Sequence, residues 1–117
     1  MIKALILDDD IIRHRSFTRM FKVNNGPDHV ICDCYTVQEL RSKWNEFKHW
    51  DVVSLDHDLN DDENGEVAAS FIANLPKTKR PSRCIIHSMN HEGAEVMFNI
   101  LVRAGVNASI EPFGAFR

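Results

Sequence analysis

Asp51-Val52-Val53-Ser54-Leu55-Asp56-His57-Asp58 is an apolar run of strand length that ends abruptly in two carboxylates and an imidazole. The start of the chain repeats the pattern, residues 2–7 running into Asp8-Asp9-Asp10. Short continuous apolar runs read as strands buried on both faces, the pattern of a parallel sheet. Side by side, two such strands bring five carboxylates and one histidine to one end of the sheet, where mutual repulsion calls for a cation or for protons.

The rest of the chain alternates helix and strand around these two runs. Asp10 is a helix cap for a segment starting near Ile11, with Phe17, Met20 and Phe21 on its apolar face and Asn24-Asn25-Gly26-Pro27 ending it. Residues 29–35 form a second strand, interrupted by Asp33 and therefore suited to a sheet edge. Thr36-Val37-Gln38-Glu39 is a capping box, and Val37, Leu40, Trp44 and Phe47 then recur at helical spacing, which makes Trp44 a core residue. The third strand is residues 52–55. The polar stretch 60–65, with Gly65 as a turning point, leads into a helix bearing Val67, Ala68, Phe71, Ile72 and Leu75 and stopped by Pro76. Residues 77–83 read as a basic connector in solvent. A fourth strand at 84–88, a helix at about 92–104 closed by Gly105 and a short strand at 108–110 complete the chain. Five strands alternating with four helices imply right-handed crossovers and a three-layer α/β sandwich, one domain over residues 1–117.

Composition narrows the function classes. No apolar stretch approaches the roughly 20 residues of a membrane span, and the N-terminal apolar run meets acid too early for a secretory signal, so a cytoplasmic protein is expected. Cys32, Cys34 and Cys84 lack zinc-finger spacing and read as reduced, buried thiols. A formal charge of −3 argues against an extended nucleic-acid surface but leaves room for a small phosphorylated ligand or a nucleotide end. Eight of the 17 acidic residues fall in residues 8–10 and 56–63, a concentration that points to a site.

In doubly wound sheets ligands bind beyond the carboxyl ends of the strands, near the switch in winding. With the flavodoxin-like order 2-1-3-4-5, Asp8 and Asp9 come beside Asp56, while His87 and Ser88 arrive on the fourth strand. This set resembles response-regulator receiver domains: an acidic pair after strand one, Asp56 after strand three, Ser88 after strand four and Pro112-Phe113 after strand five. The resemblance implies Mg²⁺ binding by the acidic pair, a phosphoacceptor role for Asp56 and a sensing hydroxyl on Ser88. Glu111 stands where receivers carry a lysine, and no fifth helix is expected before Arg117. Leu7-Asp8-Asp9-Asp10 with Arg13-His14, Ser54-Leu55-Asp56-His57-Asp58-Leu59, and Ile86-His87-Ser88-Met89-Asn90 with Gly93-Ala94 are similar to the divergent cyclic-phosphate-processing receiver domains. That likeness implies action on cyclic phosphate ends or nucleotides.

The expected chemistry follows from these residue types. Mg²⁺ or Mn²⁺ would take hard oxygen ligands from Asp8, Asp9 and Asp56. His57 and His87 would share proton transfer, with His14 orienting or protonating the ester, because imidazole titrates near neutrality. Arg13 would fork onto phosphate, with Ser88 and Asn90 as further substrate contacts. Against these stand plainer readings: His14 and Arg13 as an exposed helical face, the two strand-end histidines as hydrogen-bond fillers, and residues 61–63 as a solvated loop without calcium-loop spacing. His29, His49 and His91 meet no acidic motif. An Asp-x-Asp phosphatase is unsupported, lacking a cap insertion and a downstream lysine motif. The alternative function is a noncatalytic receiver-like signalling or ligand-binding module.

Overall fold

The computed structural model describes residues 1–112 and consists of a five-stranded parallel sheet flanked by helices. In chain order the elements are β1 (Ile2–Leu7), α1 (Ile11–Asn25), β2 (His29–Cys34), α2 (Val37–Lys43), β3 (Val52–Leu55), α3 (Gly65–Ala73), β4 (Arg83–Ile86), α4 (His91–Arg103) and β5 (Ala108–Ile110), with 3₁₀ turns at Trp44–Glu46 and Lys77–Lys79. The strand order is β2-β1-β3-β4-β5, as the alternation predicts, and β2 with Asp33 lies at an edge. Phe113, and with it the expectation about a fifth helix, lies outside the described residues.

Alternation along the strands divides the interior in two. Leu5, Leu7, Val53, Leu55, Cys84 and Ile86 pack with α2, α3 and α4 through Leu40, Ala68, Ile72, Met97 and Leu101. Ala4 and Ile6 turn the other way, against Phe17 of α1. The register then fixes the site: Leu7 lies opposite Leu55, and Leu55 opposite Ile86. Asp8, Asp56 and His87 are the next residue of three adjacent strands. Their amides still extend the ladder, Asp56 N donating to Leu7 O at 2.9 Å and His87 N to Leu55 O at 3.0 Å.

Several local expectations need correction. Helix α2 tightens to a 3₁₀ turn at Trp44, so Phe47 reaches the core from extended backbone rather than from a helical stripe. In the capping box Thr36 Oγ1 accepts from Glu39 N, but the Glu39 carboxylate reaches Tyr35 N, one residue before the cap. Helix α3 stops at Ala73, short of Pro76. Arg80 is no solvent residue: it donates to the carbonyls of Ala73, Leu75 and Ala104, joining the ends of α3 and α4 where helix carbonyls lack partners. Glu63 likewise leaves the solvated loop to pair with Arg41 at 2.7 Å. Trp44 is buried as expected, and Trp50, which sequence spacing did not single out, is fully buried with its indole N–H on Trp44 O.

Candidate functional site

Where β1, β3 and β4 end, Asp8, Asp56 and His87 each present a donor atom within 4.8 Å of the others. Their exposures are 0%, 7% and 3%, so the charges sit away from water and must be met by protein. Asp8 Oδ2 accepts from His87 Nε2 at 2.8 Å and from Arg13 Nε at 2.7 Å, while Asp8 Oδ1 accepts from Asp10 N at 2.8 Å. Burial alone would raise the Asp8 pKa; hydrogen bonds from His87, Arg13 and the Asp10 amide outweigh it and bring the carboxyl down to about 2. Asp56 has fewer donors, its own Oδ1 accepting from His57 N at 2.8 Å. Burial and the neighbouring Asp8 charge therefore push its pKa up.

Arg13 is the counter-charge of this cluster. From the first turn of α1 its guanidinium reaches Asp8, Asp10 at 3.3 Å, Asp9 at 3.4 Å and Asp56 at 3.5 Å, and its own pKa rises chiefly through the Asp8 hydrogen bond. Its side chain is 42% exposed, so it closes the cluster from the solvent side. A cleft of about 390 Å³ opens here, lined by Arg13, Asp56, Asp58, His87, Ser88, Met89 and Pro112. Ser88 is buried, and its hydroxyl accepts from Asn90 N at 3.0 Å. Met89 is 61% exposed and gives the cleft an apolar wall beside its charged floor.

Four expected site residues stand elsewhere. Asp9 is outside the three-group cluster; its carboxylate accepts from Asn60 N at 2.8 Å and tethers the β3–α3 loop. His57 does not line the cleft, because it follows Asp56 by one residue and turns to the opposite face of the sheet. There it lies between Asp58 and Glu66, each 2.7 Å from a ring nitrogen, with the backbone of Gly93 against the ring so closely that an added Cβ would collide with it. Burial would lower the His57 pKa, but the hydrogen bonds to Glu66 and Asp58 more than reverse this and the net shift is upward. Gly65 serves this packing as well: its amide donates to His57 O at 2.8 Å, and a Cβ there would strike the Asp56 carbonyl.

His14 is buried on the β2 side, not in the cleft. Its Nδ1 meets Asp33 at 2.7 Å, its Nε2 meets the Asp8 carbonyl at 2.8 Å, and its ring stacks on Tyr35 with centroids 4.1 Å apart. Asn90 caps α4, Oδ1 accepting from Gly93 N, and its amide donates to Asp58, so it too contributes to the framework around the cleft. Asp10 caps α1 as expected, Oδ1 accepting from Ile12 N at 2.8 Å. The Glu111 carboxylate accepts from Arg83 and Ser109 and is not part of the Asp8, Asp56 and His87 set.

One residue that spacing did not single out, Ser54, belongs to the site. It is fully buried in the middle of β3, two positions before Asp56 and on the same face, with its hydroxyl 2.6 Å from His87 Nδ1. That two-residue offset was the available signal. Two carboxylates and an imidazole, desolvated and converging, are a donor set that suits a divalent cation of moderate hardness. Among the described residues, no helix is long and apolar enough to cross a membrane.

Residues 3–103 match the profile of a family described as the cyclic-phosphate processing receiver domain. No curated protein matches the chain. Solved structures share the fold: the phosphorylated cyanobacterial phytochrome response regulator RcpA, at 18% identity and a TM-score of 0.72, matched over 93% of this chain and 79% of that one. The response regulator domain of Thermotoga maritima CheB, at 24% identity and a TM-score of 0.66, is matched over 100% of this chain and 83% of that one. The Mn²⁺-bound form of the response regulator Rcp1 is similar at 16% identity and a TM-score of 0.68, over 94% of this chain and 80% of that one.

Proposed function

The chain belongs to the cyclic-phosphate-processing receiver domain family, and from that premise we propose that its strand-end cleft binds a cyclic phosphate ester or nucleotide and hydrolyses it with the help of a divalent cation. The observation that carries the reading is the meeting of Arg13, Ser88, His87 and Asp56 in one cleft of about 390 Å³. Asp8 and Asp56, with His87 beside them, would hold Mg²⁺ or Mn²⁺; such an ion supplies charge for a phosphoryl oxygen and acidifies a bound water. Arg13 gives the planar fork of donors that recognises phosphate. Ser88 adds a hydroxyl on the same wall.

Hydrolysis of a cyclic diester forms one P–O bond to water and breaks one ring P–O bond, and the proton lost by water ends on the released oxygen. His87 is the histidine of the cleft, and it stands with the two carboxylates that would hold the ion. His57 and His14 hold the framework instead. Met89 and Pro112 offer an apolar surface to whatever the phosphate carries, which suits a small ligand better than an extended polymer. Three free cysteines fit a reducing compartment, and we place the protein in the cytoplasm.

A panel of 2′,3′- and 3′,5′-cyclic nucleotides, each with Mg²⁺ or Mn²⁺, tests the reading. Turnover that His87→Ala abolishes is the expected result; no turnover of any member removes the catalytic assignment. The second reading, a ligand-binding or signalling module, is favoured by Arg13, whose Nε at 2.7 Å from Asp8 Oδ2 gives that carboxylate a counter-charge from the protein itself. Binding without turnover, or an Asp56-dependent shift with beryllium fluoride, would support it.

A further inference from the structure

We propose that His87 is itself a ligand of the divalent cation, through Nε2, and that Ser54 positions it for that role, so that the site is a mixed nitrogen and oxygen centre rather than an all-carboxylate one. The inference rests on the cation-dependent reading above and specifies the chemistry of the same site.

The buried row Ser54, His87, Asp8 carries the argument. Ser54 Oγ lies 2.6 Å from His87 Nδ1, and His87 Nε2 lies 2.8 Å from Asp8 Oδ2. All three residues are 3% exposed or less. An ionised carboxylate only accepts, so with Asp8 as its partner Nε2 carries the hydrogen and Nδ1 of the neutral ring accepts from the Ser54 hydroxyl. A hydroxyl both donates and accepts. The same Ser54 oxygen can therefore accept from Nδ1–H, leaving the Nε2 lone pair for a cation, without a change in the number of protons on the ring.

The spacing suits either state. Two donors held at right angles on one cation at ~2.1 Å stand about 3.0 Å apart, close to the Nε2 to Asp8 separation in the structure. Asp56 completes the set, its carboxylate within 4.8 Å of both. A metal-bound imidazole characteristically donates its other N–H to a fixed acceptor, which sets tautomer and ring orientation. Ser54 is that acceptor, and the assignment accounts for a fully buried hydroxyl between Val53 and Leu55 on a strand where an aliphatic side chain would otherwise pack.

Any site of this charge binds Co²⁺ more tightly than Mg²⁺, so the order of affinities decides nothing; the part lost with His87 does. The test uses the whole chain, unlabelled and with ¹⁵N-histidine, in pulsed electron paramagnetic resonance with Mn²⁺, beside calorimetric titrations of Mg²⁺, Mn²⁺ and Co²⁺. Expected are a histidine nitrogen coupling that disappears in His87→Gln and a loss of Mn²⁺ and Co²⁺ affinity of roughly tenfold or more, with Mg²⁺ much less affected. Ser54→Ala should keep the coupling but weaken Co²⁺ binding several-fold, and Ser54→Thr should restore it. Urea denaturation of each variant in EDTA identifies any that fail to fold, and the nitrogen coupling of the parent protein needs no variant. Bound Mn²⁺ without histidine coupling overturns the inference and leaves the cation-dependent function standing; no cation binding at all overturns both.

Discussion

Replacing Arg13 with Met keeps the aliphatic stem and removes the charge that holds the acidic cluster together without a metal. Its Nε is 2.7 Å from Asp8, a residue with no exposure, and its Nη2 is 3.5 Å from Asp56, whose pKa is already raised by burial and by Asp8. Removing one partner of a fully buried pair costs about 3–5 kcal/mol, but the Arg13 side chain is 42% exposed and screened by water on that side. His87 and the Asp10 amide also remain on Asp8. A loss of about 2 kcal/mol in EDTA is the resulting expectation, read from urea denaturation at pH 7. A cation entering between Asp8 and Asp56 must displace the guanidinium, so the same free energy should reappear as a gain in Mn²⁺ affinity of roughly 30-fold. Saturating Mn²⁺ should then stabilise the variant more than the parent. Inorganic phosphate binding should fall, giving two readouts of opposite sign. A variant as stable as the parent in EDTA, or one that binds Mn²⁺ more weakly, would refute the idea that Arg13 and the cation share one place.

Gly93→Ala should destabilise by about 1–3 kcal/mol, since the new methyl meets the His57 ring and both lie in tightly packed surroundings; a thermal melt unchanged from the parent would count against that packing. The His57 pKa is raised in the folded state, so its contribution to stability is complete below the unfolded value of about 6.5 and fades as pH rises through the folded value. Denaturation in EDTA from pH 6 to 9 should show that decline, and Glu66→Gln, which removes one of the two carboxylates on the ring, should flatten it.

How far the site could be read from sequence turns on one property of strands. Asp8, Asp56 and His87 were legible because each follows an apolar run and the runs end in register, so strand boundaries alone bring them together. His57 stands apart from the cleft because adjacency in sequence is opposition in a strand: one residue beyond Asp56, the side chain turns towards α3 and α4. The same alternation, applied backwards, selects Ser54. Glu66 as the partner of His57, Arg80 as the link between helix ends, and Asp33 as the partner of His14 depend on how helices dock, and no spacing along the chain encodes that.

The exchange of cations is the deeper departure from the receiver pattern. Receivers set a lysine before the proline after strand five, and this chain has Glu111 there, engaged with Arg83 and Ser109. The positive charge comes instead from Arg13, one turn into α1 and half in solvent. A lysine at a strand end is fixed beside one carboxylate. An arginine on a helix, with a long stem and several donors, can hold four carboxylates while the site lacks a metal and turn to a phosphate when one enters. Under the proposed function, relocating the charge from strand to helix would replace a salt bridge suited to an acyl phosphate on Asp56 with a fork suited to a phosphate supplied by a ligand. The competition between Arg13 and Mn²⁺ is the measurable form of that difference.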